Sequence, residues 1–257
     1  MSSLPQPESP VAAKVFPSPN HGERKDGRLP DMVILHYTGM PVDGEALQWL
    51  CNPVSQVSCH YFVFPDGHVL QLVPERRRAW HAGVSAWGDN RDLNSCSIGI
   101  EIAHPGHDGG LPPYPDEQIE AVTRLCRDIC QRWRIAPDRV LGHSDVAPDR
   151  KRDPGENFPW ERLHAAGVGH WVKPAPLNSD GRFFSRGDRG TPVEALQAML
   201  GLYGYDQPIT GAFDETMERV ITAFQRHFRP ERIDGVADAS TITTLRNLIA
   251  SRPGPMI

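Results

Sequence analysis

The chain predicts an α/β or α+β domain followed by a small three-helix unit. Short apolar runs bounded by Pro and Gly alternate with helical stretches from residue 31 to 170. Between Gly167 and Arg186 the texture changes: Pro174, Pro176, Asn178, Ser179 and Gly181 break any periodicity. Three helical patterns then close the chain. These breaks divide it into an N-terminal arm (1–30), a first domain (31–170), a linker (171–186) and a helical domain (187–252).

The arm is polar and rich in Pro and Ser, so it reads as an irregular lead-in. Met32 to Tyr37 is an apolar run between Pro30 and Gly39, the pattern of a buried strand. Glu45 to Leu50 reads as a short helix ended near Asn52-Pro53. His60 to Phe64 and His68 to Val73 flank Pro65-Asp66-Gly67, a hairpin signal. Ser97 to Ala103 is another strand. Asp116 to Trp133 is the clearest helix, with Ile119, Val122, Cys126, Ile129, Cys130 and Trp133 in one stripe and two acids at its positive end. Arg139 to Gly142 is a short strand that delivers His143. The tail helices run from Val193 to Leu200, Glu215 to His227 and Thr241 to Ala250. Two of them follow similar words, Gly211-Ala212-Phe213-Asp214 and Gly235-Val236-Ala237-Asp238, in which a Gly turn precedes an Asp able to cap a helix.

Composition narrows the class. Of 257 residues, 39% are apolar and 23% charged, which suits a buried core and excludes general disorder. A formal charge of −5 argues against a nucleic-acid partner. There is no run of about 18 apolar residues, hence no expected membrane span. Residues 1–28 lack the apolar centre of a secretory signal. The five cysteines are odd in number and form no Cys-x-x-Cys pair, so at least one thiol stays free. Both features point to the cytoplasm as the place of folding, with periplasmic action reached by a non-standard export route.

Three words carry the chemistry. Ile34-Leu35-His36-Tyr37-Thr38, Gly142-His143-Ser144-Asp145 and Lys151-Arg152-Asp153-Pro154-Gly155 supply two imidazoles and a carboxylate. Zinc in a hydrolase takes three such ligands and keeps a fourth position for water. His36, His143 and Asp153 are therefore the candidate ligands of Zn²⁺. A fourth word, Ser97-Ile98-Gly99-Ile100-Glu101-Ile102, places one carboxylate in an apolar run, where a general base is expected. Glu101 is the candidate acid/base of an amide hydrolase.

With Val57-Ser58-Cys59-His60-Tyr61, Ala79-Trp80-His81-Ala82-Gly83, Leu93-Asn94 and Phe158-Pro159-Trp160 added, the chain resembles the zinc-dependent N-acetylmuramoyl-L-alanine amidases of the type-2 amidase family, relatives of the peptidoglycan-recognition proteins. The resemblance covers residues from about 30 to 165. It implies a mixed central β-sheet flanked by helices and cleavage of the amide between N-acetylmuramic acid and L-Ala in peptidoglycan or muropeptides. It implies that Lys151 lies near the developing oxyanion, where a cation has a physical role. It also implies substrate contacts from His81 and Asn94, with Trp80 either facing the sugar or packing in the wall. His60 reads as structural or groove-lining. Ser85 to Arg91, with Trp87-Gly88, fits members that act on larger cell-wall substrates. The tail resembles a three-helix peptidoglycan-binding domain through Arg189-Gly190, Leu196-Gln197, Gly211-x-Phe213-Asp214, Ala223-Phe224-Gln225 and Asp234-Gly235.

Two other readings stay open on residues alone. One is a recognition protein that uses the groove without turnover; a complete ligand set and Glu101 speak against it. The other is a zinc peptidase cutting within the stem peptide. The His-Glu-x-x-His helix of a thermolysin-type protease is absent.

Overall fold

The computed structural model describes residues 6–177 and 183–252. In chain order its strands are β1 (Lys14–Val15), β2 (His21–Glu23), β3 (Met32–Tyr37), β4 (Tyr61–Val63), β5 (Val69–Gln71), β6 (Arg77–Ala79), β7 (Ser97–Ile102) and β8 (Val140–Gly142). Its α-helices are α1 (Asp43–Leu50), α2 (Asp116–Trp133), α3 (His143–Val146), α4 (Trp160–Ala165), α5 (Thr191–Tyr203), α6 (Glu215–Phe228) and α7 (Ala239–Ala250). The main sheet runs β1-β5-β4-β7-β3-β8 and is mixed. Strand β3 pairs in parallel with β7 and β8, β4 pairs in parallel with β7, and β4–β5 is the antiparallel hairpin.

Strand alternation sorts the side chains into two layers. Val33, Leu35, Ile98, Ile100, Ile102 and Val140 face the buried stripe of α2. Met32, Ile34 and Leu141 face the opposite side, together with Trp87 and the buried residues of α5, α6 and α7. The unbroken apolar run of β3 follows, because both of its faces are covered. On β7 the residues out of phase with the α2 layer are Ser97, Gly99 and Glu101. They lie on the face that carries Met32, Ile34 and, one step further along β3, His36.

Helix α2 has the limits expected from its pattern. Asp116 and Glu117 complement its N-terminus. It stops where Arg134 enters the left-handed region at φ 54° and returns its N–H to Cys130. The tail helices are capped as anticipated: Asp214 and Asp238 accept from the N–H groups of Met217 and Thr241. The repeat in the tail has a structural basis. Gln197 Oε1 accepts from the N–H groups of Thr210 and Gly211, and Gln225 Oε1 accepts from those of Asp234 and Gly235. Each glutamine also donates to a carbonyl two residues beyond its Asp or Thr: Ala212 for Gln197 and Val236 for Gln225. Two buried amides thus clamp two equivalent turns.

Two expectations change. The segment 1–30 is not an irregular lead-in throughout. Strand β1 adds to the edge of the main sheet along β5, and β2 pairs with β6. The buried Arg24 guanidinium donates to the carbonyls of Glu75, Asn94 and Ser97. Burial pushes its pKa down to about 10, so it remains charged at neutral pH. Segments this short are made by tertiary pairing and leave no periodicity in the sequence. In the stretch 171–186 read as a linker, Trp171 and Val172 pack on the core, and Ala175 exchanges hydrogen bonds with Thr244 and Ser240. Residues 178–182 of that stretch lie outside the described residues.

Trp87, 1% exposed, sits in the seam between the sheet and the tail helices, 4.9 Å from the Tyr205 ring. A Cβ at Gly204 would come within 2.3 Å of it. The Ser85–Arg91 segment therefore docks the two halves of the molecule against each other, and Arg91 adds an ion pair to Asp206. Among the described residues no helix is long and apolar enough to cross a membrane.

Replacing Arg24 by Met is expected to cost about 2–4 kcal/mol, because three buried carbonyls lose their donor while the volume is kept. Urea denaturation of the two proteins measures it.

Candidate active site and metal centre

The parallel strands β3, β7 and β8 end on one side of the sheet, the position where ligand sites form in such sheets. His36 lies near the end of β3. His143 follows β8 directly and opens α3. Asp153 comes from the loop after α3. The three side chains are 1%, 2% and 5% exposed. His36 Nδ1 lies 2.8 Å from His143 Nδ1 and 3.1 Å from Asp153 Oδ2, and His143 Nδ1 lies 3.0 Å from the same oxygen. The three predicted ligands are thus brought to one point.

The surrounding hydrogen bonds determine which nitrogens carry protons. Ser97 Oγ donates to the carbonyl of Leu93, so it accepts from His81 Nε2. The other nitrogen of a neutral His81 is then a lone pair, and it accepts from His36 Nε2 at 3.0 Å. His36 Nδ1 is left as a lone pair. His143 Nε2 faces the carbonyl of Ala82 at 3.1 Å and must donate to it, so His143 Nδ1 is also a lone pair in the neutral ring. Burial pushes His36 down to about 4, which keeps it neutral. With both rings neutral, two nitrogen lone pairs and a carboxylate oxygen face one another with no proton between them. This is an acceptor cluster that a cation satisfies, and the donor set is of the kind that holds a divalent metal ion.

Glu101 sits beside His36 in register on β7 and lines the same cleft. Its Oε2 is buried and has no hydrogen-bond partner among the described residues. Burial pushes the carboxyl well above its usual range, the Asp153 charge adds to this, and Lys151 opposes it. Lys151 lines the cleft as well. The cleft encloses about 260 Å³. One wall is apolar, with Met40, Trp49, Leu50 and Val57, and Trp80 completes the rim.

His81 and Asn94 border the cleft, and protein groups engage both ring nitrogens of His81 and the Oδ1 of Asn94, which accepts from the N–H groups of His81 and Ala82. These contacts orient His36, a task the sequence reading did not assign to His81 and Asn94. Gly99 makes room for this arrangement, since a Cβ there would come within 2.4 Å of the His81 ring. His60 is structural: its Nδ1 accepts from Gly99 N–H and its Nε2 donates to the carbonyl of Arg77. Sequence reasoning passed over Ser97 and Asp145, although both stand inside the words it singled out. It passed over His107 as well, whose ring joins the hydroxyl of the cleft residue Tyr37 to Glu156.

Residues 26–156 match the family model for N-acetylmuramoyl-L-alanine amidase. The chain is 39% identical over 225 residues to the N-acetylmuramoyl-L-alanine amidase AmiD of Escherichia coli (strain K12), covering 82% of this chain and 79% of that protein. The chain belongs to the N-acetylmuramoyl-L-alanine amidase family. A second match, over residues 189–245, is to the family described as "Putative peptidoglycan binding domain". The amidase is 34% identical to the 1,6-anhydro-N-acetylmuramyl-L-alanine amidase AmpD of Enterobacter cloacae, over 60% of this chain and 90% of that one. Among solved structures, AmiD of E. coli in complex with anhydro-N-acetylmuramic acid-L-Ala-D-gamma-Glu-L-Lys superposes with a TM-score of 0.73 at 35% identity, covering 86% of this chain and 89% of that one. AmpDh3 from Pseudomonas aeruginosa in complex with anhydromuramic pentapeptide does so with 0.72 at 30% identity, covering 99% and 100%.

Gly99→Ala should displace His81 and free His36 to rotate. Affinity for a divalent metal is expected to fall about 10- to 100-fold, read by competition with a chromophoric chelator.

Proposed function

We propose that this amidase hydrolyses the bond between N-acetylmuramic acid and the L-alanine that begins the stem peptide, with Zn²⁺ held by His36, His143 and Asp153. The observation that carries the reading is the meeting of two imidazole nitrogens and a carboxylate oxygen in the cleft, beside a buried carboxylate oxygen with no partner among the described residues. The relatives solved with anhydro-muramyl peptides support that substrate class.

Bound zinc supplies a hydroxide source near neutral pH and polarises a carbonyl. The protein's own groups do the rest. Glu101 takes the proton of the attacking water through Oε2 as the carbon–oxygen bond forms. It passes that proton to the alanine nitrogen as the carbon–nitrogen bond breaks, so the carboxylate is regenerated. Its raised pKa suits a group that must both accept and release a proton, and a nearby dication would draw the pKa back toward neutrality. Lys151 provides positive charge where it grows negative on the carbonyl oxygen. Trp49, Val57 and Trp80 line the cleft, and the indoles offer apolar faces on which a sugar ring can pack. The tail, by its family match, holds glycan strands and raises the local concentration of scissile amides.

Purified sacculi and anhydro-muropeptide, incubated with the zinc-loaded and the chelated protein, test this. Mass spectrometry is expected to find L-Ala-led peptides from the loaded protein alone. Products cut inside the stem would move the assignment to a peptidase, and full activity after chelation would end it. Glu101→Gln is expected to keep its zinc and lose about 10²- to 10⁴-fold in kcat. Asp153→Ala is expected to lose both metal and turnover, as metal analysis beside the rate assay will record.

A further inference from the structure

The loop that carries His143 is gripped from the C-terminal helical unit. We infer that Tyr205 and His227 are positioning residues of the amidase site, acting through Asp145; this rests on the reading that His36, His143 and Asp153 hold the zinc.

Asp145 is 1% exposed. An ionised carboxylate in that position is tolerated only when donors surround it. Three do so. Tyr205 donates its hydroxyl to Oδ1 at 2.8 Å, and His227 Nδ1 donates to Oδ2 at 2.7 Å. The third is the N–H of Gly142, 2.8 Å from Oδ2. Two of the three donors thus come from the tail, and the third belongs to the residue immediately before His143.

Asp145 sits two residues after His143 in the four-residue helix α3, and its carboxylate closes the start of that helix by holding Gly142. On its other side Gly142 packs closely against Pro154, since a Cβ there would approach Pro154 Cδ to 2.8 Å. Ser144 N–H donates to the carbonyl of Asp153 at 2.9 Å. A movement of the Asp145 carboxylate therefore reaches both ligands on this side of the site, His143 through the chain and Asp153 through Ser144 and Pro154.

The two donors are themselves held firmly. The His227 ring stacks on Trp160 with centroids 3.7 Å apart and on Phe228 at the same distance. The Tyr205 ring packs edge-on against Trp87 at 4.9 Å. Neither can turn away from Asp145 without opening the seam. The adjacent residue on α6, Arg226, also connects to the cleft. It pairs with Glu156, which holds His107 against the hydroxyl of the cleft residue Tyr37. One turn of a tail helix thus meets the site at two places.

The test uses the full chain with three variants. Tyr205→Phe removes one oxygen and no packing surface. His227→Phe keeps the stack and removes the donor. His227→Asn puts a donor nitrogen back near the position of Nδ1. Zinc affinity by chelator competition, kcat and KM on an anhydro-muramyl tripeptide, and the melting temperature of the zinc-free protein are measured for each. Tyr205→Phe and His227→Phe are expected to weaken zinc binding about tenfold and to lower kcat with KM within about twofold. The double variant is expected to lose less than the product of the two, since both act on one carboxylate. His227→Asn should recover most of the loss. Unchanged zinc affinity and kcat in the folded variants, whatever happens to melting, would overturn the inference, and so would a rise in KM alone. Should His227→Phe fail to fold, Tyr205→Phe decides. A wild-type protein that binds no zinc defeats the metal reading itself. Zinc-binding wild type with indifferent variants defeats only the role given to Tyr205 and His227.

Discussion

Three lone pairs pointed at one another hold the key to this molecule. His36 Nδ1, His143 Nδ1 and Asp153 Oδ2 lie within 3.1 Å of each other, yet none has a proton to offer the others once the surrounding hydrogen bonds are followed outward. Their mutual repulsion is relieved by a cation and by little else. Several otherwise unrelated features exist to maintain the conflict. Ser97 and Leu93 fix His81, His81 fixes His36, and the carbonyl of Ala82 fixes His143. The missing side chain at Gly99 leaves room for the first of these chains.

The sheet explains how so much precision is reached with short strands. His36, Glu101 and His143 arrive on three adjacent strands, β3, β7 and β8, whose parallel pairing sets all of them at one edge. Strand β3 is covered on both faces, so its register cannot slip without moving His36 out of the cluster. Rigid elements carry the two imidazole ligands and Glu101, and a loop carries Asp153 and Lys151.

What could be read from the sequence was whatever is encoded locally. The α2 stripe, the β4–β5 hairpin, the run of β3 and the caps at Asp214 and Asp238 each announce themselves within a single short stretch of chain, and the structure has them at or near those positions. The ligands were legible too, because each stands in a short word beside glycine, proline or a strand. Arg24 was not. A cation in a polar leader has no local mark of burial, and its carbonyl partners lie 51 to 73 residues away. The orienting contacts of His81 and of the Asn94 oxygen were hidden for a related reason: a polar residue beside a cleft looks the same in sequence whether it faces the ligand or the residue behind it. Tyr205 and His227 are the extreme case, standing 60 and 82 residues from the carboxylate they meet.

The tail and the catalytic half share a single apolar seam, with Met32, Ile34, Trp87 and Leu141 on one side and Tyr203, Phe224 and Phe228 on the other. Trp87 and Gly204 interlock so closely that any side chain at position 204 would collide with the indole. The two halves therefore behave as one mechanical piece, and swapping either of them means refitting the contact between indole and glycine.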